Sequence, residues 1–194
     1  MNINPKNRNS TNHPKKWVVQ SSDYLIKQAW CTLRVDHVLI PNGATIPNYY
    51  IFEYPHWVNV IAITQEQEFL FIYQYRHGLQ QHDYELPAGV CEETDQSPLE
   101  TAKRELLEET GYGNGKWQQF TVISPNPGTH TNLCYCFLAT ELEKITTPHL
   151  DATEDLEVMK LSLNEVKQLL LDDHIKQSLH ATPLWKYMAI NKLM

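Results

Sequence analysis

One stretch of this chain decides its fold: Arg104-Glu105-Leu106-Leu107-Glu108-Glu109-Thr110-Gly111-Tyr112. Its three glutamates stand at positions i, i+3 and i+4, so a helix places them on one face, within a sector of about 100°. Crowded carboxylates repel each other, and a divalent cation that prefers hard oxygen ligands offsets this repulsion. The spacing therefore predicts a metal-binding helix. The alternative is a solvated acidic face on which Arg104 pairs with Glu108 across one turn.

The helix that carries these glutamates has clear signals for its start and its end. Ser97 is suited to the N-cap, Pro98 to the first helical position, and Glu100 completes a capping box. Gly111 supplies the left-handed residue that ends a helix. An apolar stripe at helical spacing completes the pattern: Leu99, Ala102 and Leu106.

The residues before this helix connect it to a known family. Residues 84–89 are Tyr-Glu-Leu-Pro-Ala-Gly and follow a strand-like run at 69–76. The whole segment resembles the signature of the Nudix hydrolases: Gly, five residues, Glu, seven residues, then Arg-Glu-apolar-x-Glu-Glu-x-Gly-apolar. Its second half matches in full from Arg104 to Tyr112. In the first half, fourteen residues separate Gly89 from Arg104 where the family has thirteen. We interpret this difference as a one-residue insertion that leaves Gln96 in the position of the signature glutamate.

Three features resemble the ADP-ribose pyrophosphatase branch of that family, over about residues 30 to 160. They are Gln74-Tyr75-Arg76, the 84–89 run, and Pro127, which lies sixteen residues after Gly111. The resemblance implies an α+β Nudix fold, in which a mixed β-sheet lies between helices, with an N-terminal antiparallel β extension. It also implies Mg²⁺-dependent hydrolysis of ADP-ribose or a related nucleoside diphosphate sugar, which gives a nucleoside monophosphate and a sugar phosphate.

The resemblance further assigns roles to individual residues. Glu105 and Glu109 would bind Mg²⁺, or Mn²⁺ in its place, together with the backbone carbonyl of Ala88, while Glu108 would support the metal and Arg104 would orient the carboxylates. The residues expected to contact substrate are Arg76, Glu85 and Trp30. Arg76 would bind phosphate through its planar fork, although an ion pair with Glu85 is the alternative. An aromatic residue of the extension would stack on adenine, with Trp17, Trp30 and Tyr50 as candidates.

The catalytic base stays open at this point. The branch has a glutamate in the loop after Pro127-Gly128, but this chain has Asn132 there, which cannot accept a proton at neutral pH. His130 and Glu154 are the candidates, together with the helix glutamates.

Composition and length predict one compact domain, or a small domain with an extension. The chain has 194 residues and a net charge of −7, which argues against nucleic-acid binding, and its four cysteines show no disulfide framework. We predict a disordered polar tail at residues 1–16, a β extension at 17–56 that swaps within a homodimer, and a Nudix domain at 57–194. The first residues lack the apolar core of a signal peptide, and no apolar run is long enough to span a membrane, so we expect a cytoplasmic protein.

Hydrophobic patterning gives a coarse set of elements. A turn at Pro41-Asn42-Gly43 separates the second and third strands. The predicted strands are Trp17–Gln20, Trp30–Leu39, Asn48–Tyr54, Val58–Thr64, Phe69–Tyr75, Trp117–Ser124, Leu133–Thr140 and Leu156–Lys160. The predicted helices after the acidic one are Leu163–Leu171, Asp173–His180 and Pro183–Lys192.

Three functions compete at the level of sequence. The first is hydrolysis of a nucleoside diphosphate sugar such as ADP-ribose. The second is a Nudix hydrolase for another pyrophosphate (a dinucleotide, a coenzyme or a sugar on another base), which the asparagine at 132 favours. The third is a non-catalytic nucleotide-sensing module, and the intact glutamate trio argues against it.

Overall fold

The computed structural model describes residues 15–194, which divide into two units between Tyr54 and Pro55. All but the last two residues of the predicted tail, 1–16, lie outside this described part. Strands and helices occur in the α+β combination that the sequence predicts. In chain order the elements are β1 (Val18–Gln28), β2 (Cys31–Leu39), β3 (Thr45–Glu53), β4 (Trp57–Thr64), β5 (Phe69–Arg76), β6 (Gln81–Glu85), β7 (Ala88–Val90), α1 (Pro98–Thr110), β8 (Tyr112–Gly113), β9 (Lys116–Ile123), β10 (Cys134–Lys144), β11 (Leu156–Leu161), α2 (Leu163–Leu171) and α3 (Ser178–Ile190).

The N-terminal unit is an antiparallel sheet in the order β1-β2-β3. Its predicted turn at 41–43 is confirmed, because the Gly43 amide donates to the Ile40 carbonyl at 3.0 Å and Gly43 has a φ of 90°. β1 extends to Gln28, eight residues beyond the predicted end, and every residue in it is exposed. Polar residues alternate irregularly there, which is why the pattern alone did not predict a long strand.

The C-terminal unit is built on an eight-stranded mixed sheet. Its main path is β11-β5-β4-β10-β8, with β6 paired to β5, β7 to β4 and β9 to β10. β4 and β10 run parallel, whereas the other neighbours are antiparallel. The short strands β6, β7 and β8 were not predicted, because each has five residues or fewer and depends on a distant partner for its hydrogen bonds.

β4 contributes to two hydrophobic clusters, because its side chains alternate between the two faces of the sheet. Val58, Val60 and Ala62 share one cluster with α1. Ile61 and Ile63 belong to the other cluster, which contains the buried side chains of α2 and α3. The sheet therefore lies between the acidic helix and the C-terminal helices. None of the helices within residues 15–194 combines the length and apolar character needed to cross a membrane.

α1 begins and ends where its sequence predicts. The Ser97 hydroxyl accepts from the Glu100 amide at 3.3 Å, and Gly111, at a φ of 70°, donates to the Leu107 carbonyl at 2.8 Å. The Glu100 carboxylate contacts Lys103 at 3.0 Å, so only the serine half of the predicted capping box forms.

The prediction of two C-terminal helices after α2 was wrong. A single helix, α3, spans Ser178–Ile190 and contains Pro183. Proline has no amide hydrogen, so it cannot donate to the carbonyl of Leu179, four residues earlier. The side-chain amide of Asn59 on β4 donates to that carbonyl at 2.8 Å instead. A tertiary contact thus replaces the missing helical bond and lets the helix continue through the proline.

Candidate active site

The carboxylates of α1 lie against the short strand β7. Glu109 is 6% exposed, and its Oε2 accepts a hydrogen bond of 3.0 Å from the Ala88 amide. Glu105 lies directly over Gly89, where an added Cβ would come within 2.0 Å of the Glu105 carboxyl carbon. The glycine of the signature is therefore a contact surface for the first glutamate of the helix, and this explains why a side chain does not fit at position 89.

Burial disfavours negative charge on both of these carboxylates. It raises the pKa of Glu105 to about 7, and neighbouring Glu108 raises it further while Arg104 opposes the shift. Burial also raises the pKa of Glu109 well above its ordinary value, and Glu105 and Glu154 add to this effect. Acidic groups placed in this way lack sufficient positive charge around them. Such a site is stabilised when a cation joins it.

Gly89→Ala tests the contact between β7 and Glu105. We expect it to lower kcat/KM about 100-fold, because the new methyl group must displace the Glu105 carboxylate and an outer contact of a metal site is typically worth 10–100-fold. The side chain can rotate away, so thermal stability should change little. Gly78→Ala is the matched control, since nothing lies within 4 Å of a Cβ there. Activity of the Gly89→Ala enzyme within threefold of wild type would contradict the role of this contact.

Arg104 connects the helix to the loop before it. Its guanidinium contacts Glu105 and Glu108 at 3.0 Å each and Asp95 at 3.0 Å. The predicted alternative, an Arg104–Glu108 pair, therefore forms, but as one part of a larger network. The interpretation of Gln96 as the residue in the signature glutamate position was wrong: Gln96 is exposed, and Asp95 supplies the carboxylate that meets Arg104. The extra residue of the loop therefore lies between Asp95 and Arg104, and the spacing from Gly89 to Asp95 matches the signature.

The Asp95–Arg104 pair predicts a specific dependence of stability on pH. Hydrogen bonds from Arg104 lower the pKa of Asp95 from 3.8 to about 2. The stability that this carboxylate contributes is therefore complete above about pH 4 and is lost as the pH falls from about 4 to about 2. We expect Asp95→Asn to reduce the free energy of unfolding by about 1 kcal/mol at pH 7. In urea titrations the difference from wild type should shrink toward pH 3, whereas the exposed Glu93→Gln should match wild type throughout. A difference that stays constant with pH would contradict this assignment.

A cleft of about 440 Å³ adjoins these carboxylates. Its lining includes Glu109, Ala88, Arg76 and Glu154. The structure thus brings together four of the residues selected from sequence. The cleft does not include His130, whose amide donates to the Asn126 carbonyl at 2.8 Å in a separate turn.

Arg76 forms an ion pair with Glu85, which was the predicted alternative to phosphate binding. Two of its nitrogens, Nε and Nη2, contact the two oxygens of the buried Glu85 carboxylate. Glu85 also accepts from Gln74 at 3.3 Å. The pair holds the guanidinium at the edge of the cleft, since Arg76 itself remains half exposed.

His180 is a member of this site that sequence reasoning missed. Its Nδ1 accepts from the Leu86 amide at 3.2 Å, and its Nε2 lies 3.4 Å from the Glu85 carboxylate. Burial lowers the pKa of His180 to about 4, so the ring is neutral and carries its proton on Nε2, toward Glu85. No local pattern signals this role, because His180 comes 95 residues after Glu85 in an ordinary helix.

The remaining candidates are not among the residues that line this cleft. Asn132, at the position where a base was expected, is 1% exposed and does not line the cleft. The three aromatic candidates for stacking belong to the N-terminal unit: Trp17 packs edge-on against Tyr49 at 5.8 Å, Tyr50 lies on β3, and Trp30 lies in the β1–β2 turn. Trp30 is 79% exposed, the most of these three.

The donor set suits a hard divalent cation. In the present conformation no group of three or more acidic, histidine or cysteine side chains within residues 15–194 is arranged as a metal site. Glu105 is turned toward Arg104, and Glu109 toward the Ala88 amide. Both are nevertheless buried oxygen donors whose negative charge needs compensation. Carboxylate oxygens are the ligands that Mg²⁺ and Mn²⁺ prefer.

Two family models match consecutive parts of the chain. Residues 17–52 match the nucleoside diphosphate sugar hydrolase N-terminal domain, and residues 54–182 match the NUDIX domain. The second match covers more than half of the chain and includes every residue of the cleft.

Individual proteins support the same assignment. The chain is 35% identical over 147 residues to the methanol dehydrogenase activator of Bacillus methanolicus, which covers 75% of this chain and 78% of that protein. It is also 35% identical over 139 residues to the ADP-ribose pyrophosphatase of Bacillus subtilis (strain 168). This match covers 71% of this chain and 74% of that protein. The crystal structure of an ADP compounds hydrolase has the same fold, with a TM-score of 0.77 over 93% of this chain and 98% of that one at 18% identity. The chain therefore belongs to the Nudix hydrolase family and is an ADP-ribose pyrophosphatase-like pyrophosphohydrolase.

Proposed function

We propose that this protein hydrolyses the pyrophosphate bond of ADP-ribose or a related nucleoside diphosphate sugar, with Mg²⁺ or Mn²⁺ as cofactor. The products are a nucleoside monophosphate and a sugar phosphate. The observation that carries the proposal is the cleft in which the buried Glu109 meets Arg76 and Glu154. An N-terminal segment that matches a nucleoside diphosphate sugar hydrolase domain supports this class of substrate over other pyrophosphates.

We assign the metal to Glu105 and Glu109, with the Ala88 carbonyl as a further ligand and Glu108 in support. A bound divalent ion would polarise phosphoryl oxygens and make water a better nucleophile. Arg104 fixes the orientation of these carboxylates, because it contacts Glu105 and Glu108 and is itself held by Asp95. The negative charge of the protein is no obstacle to an anionic substrate, since cations bridge the two.

Arg76 binds a phosphate oxygen in this proposal. Its contacts to Glu85 use Nε and Nη2, so Nη1 has no hydrogen-bond partner within residues 15–194 and is available to the cleft. The ion pair and the phosphate contact are therefore compatible. Glu85 contributes indirectly: it is buried, and it holds the guanidinium in place for substrate.

Glu154 is our proposed catalytic base. It lines the same cleft as Glu109, and its charge is close enough to raise the pKa of both Glu105 and Glu109. The Asp151 amide donates to its Oε2 at 2.9 Å, which holds the side chain in its turn. In the reaction Glu154 accepts a proton from water while the water oxygen bonds to one phosphorus. The bond from that phosphorus to the bridging oxygen then breaks, and the second phosphate leaves.

A nucleotide panel tests the proposed function. ADP-ribose, other ADP-sugars, sugars on other bases, dinucleotides and coenzymes are incubated with the protein in Mg²⁺, in Mn²⁺ and in EDTA, and the phosphorus-containing products are identified. We expect AMP and ribose 5-phosphate from ADP-ribose with metal and no product in EDTA. Preference for a dinucleotide or a non-adenine substrate would replace the substrate assignment, and no hydrolysis of any member would favour a nucleotide sensor.

We also propose that the N-terminal unit forms a homodimer and that Trp30 stacks on adenine. The basis is the unusual number of exposed large apolar residues in this unit: Trp17, Val18, Val19, Tyr24, Leu25, Ile26, Trp30 and Tyr50. Such surface in a soluble domain marks an interaction site. Size-exclusion chromatography is expected to give a dimer for the full chain and a monomer for a chain that lacks residues 1–54.

Trp30→Ala is expected to raise KM for ADP-ribose about tenfold and to leave kcat within twofold. Stacking of a base on an aromatic side chain is worth about 1–3 kcal/mol, and a side chain this exposed contributes little to folding. Trp17→Ala and Tyr50→Ala are measured beside it. A rise in KM with one of those two variants but not with Trp30→Ala would move the stacking role to that residue.

A further inference from the structure

A second cavity, also about 440 Å³, adjoins the catalytic cleft. Arg76 and Ala88 line both spaces, so a molecule bound across these two residues reaches from one into the other. Its other lining residues include Trp57, Asn59 and Leu179.

Asn59 presents an acceptor that the protein does not use. The residue is 1% exposed, and its Nδ2 donates to the Leu179 carbonyl at 2.8 Å. Only the NH₂ group can bond to a carbonyl, so this contact fixes which way the amide points. Pro183 makes the contact necessary, because it cannot supply the helical donor. Within residues 15–194, no group donates to the buried Oδ1. A buried acceptor without a donor is costly and rare in proteins, which points to a ligand or solvent group at this position.

Apart from Arg76, which also lines the catalytic cleft, the other walls of the cavity carry no charge. His180 is neutral, since burial lowers its pKa to about 4, and burial raises the pKa of Cys134 to about 12. Trp57 and Leu179 add apolar surface. This combination suits an uncharged ring that bears hydrogen-bond donors, and it does not suit a phosphate.

We infer that this cavity holds one of the uncharged ends of the substrate, a sugar or a base, and that Asn59 Oδ1 accepts a hydrogen bond from its hydroxyl or amino group. The inference rests on the proposed function, because the diphosphate in the cleft would place such a group beside Arg76 and Ala88. Asn59 is then a specificity-determining residue. A site that accepts a hydrogen bond from a substrate rejects analogues that lack the donor, since its buried acceptor is left unpaired.

Filling the cavity tests this inference without touching Asn59. Gln177 is exposed at the start of α3 and lines the cavity, so Gln177→Trp should block it, while Ser178→Trp at the next exposed position is the matched control. AMP and ribose 5-phosphate are the two halves of ADP-ribose, and neither has a pyrophosphate bond to hydrolyse. Calorimetry in Mg²⁺ therefore measures the binding affinity of each half separately. We expect Gln177→Trp to weaken the binding of one of these two ligands at least tenfold, and Ser178→Trp to weaken the binding of neither. Equal affinities in the two variants, or no binding of either half to wild type, would overturn the inference.

A second experiment removes the Asn59 side chain and lets another group donate to the Leu179 carbonyl in its place. In the double variant Asn59→Ala/Pro183→Ala, alanine at 183 restores an amide hydrogen for the Leu179 carbonyl, and Pro183→Ala alone is the control. If the base occupies the cavity, the double variant should lose the preference for AMP over IMP. If the sugar does, it should lose the preference for ribose 5-phosphate over 2-deoxyribose 5-phosphate. Both preferences unchanged would overturn the role of Asn59. Failure of the proposed function is seen separately, as absence of ADP-ribose turnover by wild type.

Discussion

Glu109→Gln is expected to lower kcat/KM for ADP-ribose about 1,000-fold while the protein stays at least as stable as wild type. Loss of an anionic metal ligand removes several kcal/mol of transition-state stabilisation, and about 4 kcal/mol corresponds to this factor. The fold does not need the charge. Glu109 is buried with one backbone donor, from Ala88, which the oxygen of glutamine can equally accept from. A neutral amide also avoids the cost of burying a carboxylate without a partner.

The measurement combines activity, metal dependence and unfolding. Turnover is followed across a Mg²⁺ titration, and thermal unfolding is recorded for the same preparations. Glu100→Gln is the matched control, since Glu100 lies on the same helix, is exposed, and its carboxylate pairs with Lys103 alone within residues 15–194. Turnover of every pyrophosphate at near wild-type level, with an unchanged Mg²⁺ requirement, would remove Glu109 from the metal site.

Glu154→Gln is expected to lower kcat by about 10² to 10⁴, the range that a positioned general base contributes. The amide keeps the size of the side chain and can still accept from the Asp151 amide, so the turn should survive. Because Glu154 is not among the proposed metal ligands, the Mg²⁺ concentration for half-maximal activity should stay within about threefold of wild type. This pattern separates Glu154→Gln from Glu109→Gln.

The comparison with His130 makes this experiment decisive. His130→Gln should retain activity, because His130 does not line the cleft, and Glu157→Gln serves as a control at an exposed carboxylate of β11. A large loss with His130→Gln together with little effect of Glu154→Gln would reverse the assignment of the base.

The elements that could be predicted from sequence are those with local causes. α1 is one of them: its serine cap, its first-turn proline and its terminal glycine all act within a few residues of each other, and the structure uses each of them. The strands at the centre of the sheet are long and apolar, so periodicity reveals them. β6 and β7 are short and are formed by pairing with distant strands, which no local pattern encodes.

The errors at the site have the same origin. Counting back from Arg104 selected Gln96, but a loop with an extra residue can place a neighbouring side chain at the same point in space, and Asp95 is the one that contacts the guanidinium. Proline 183 was expected to separate two helices, because the contact from Asn59 that replaces its missing bond comes from a strand more than a hundred residues away. The sequence indicates the acidic helix, but it does not indicate which distant groups lie beside it.

β4 has one more consequence, for insertions and deletions. Its odd positions, including Asn59, face the C-terminal helices, and its even positions face the acidic helix. Removing one residue ahead of position 59 would exchange the two sets, so that Val60 would take the place of Asn59 at the second cavity and the polar amide would enter an apolar core. Both substrate recognition and the seating of the metal helix would fail together. Variation in chain length is therefore expected to be confined to the segments that flank this strand.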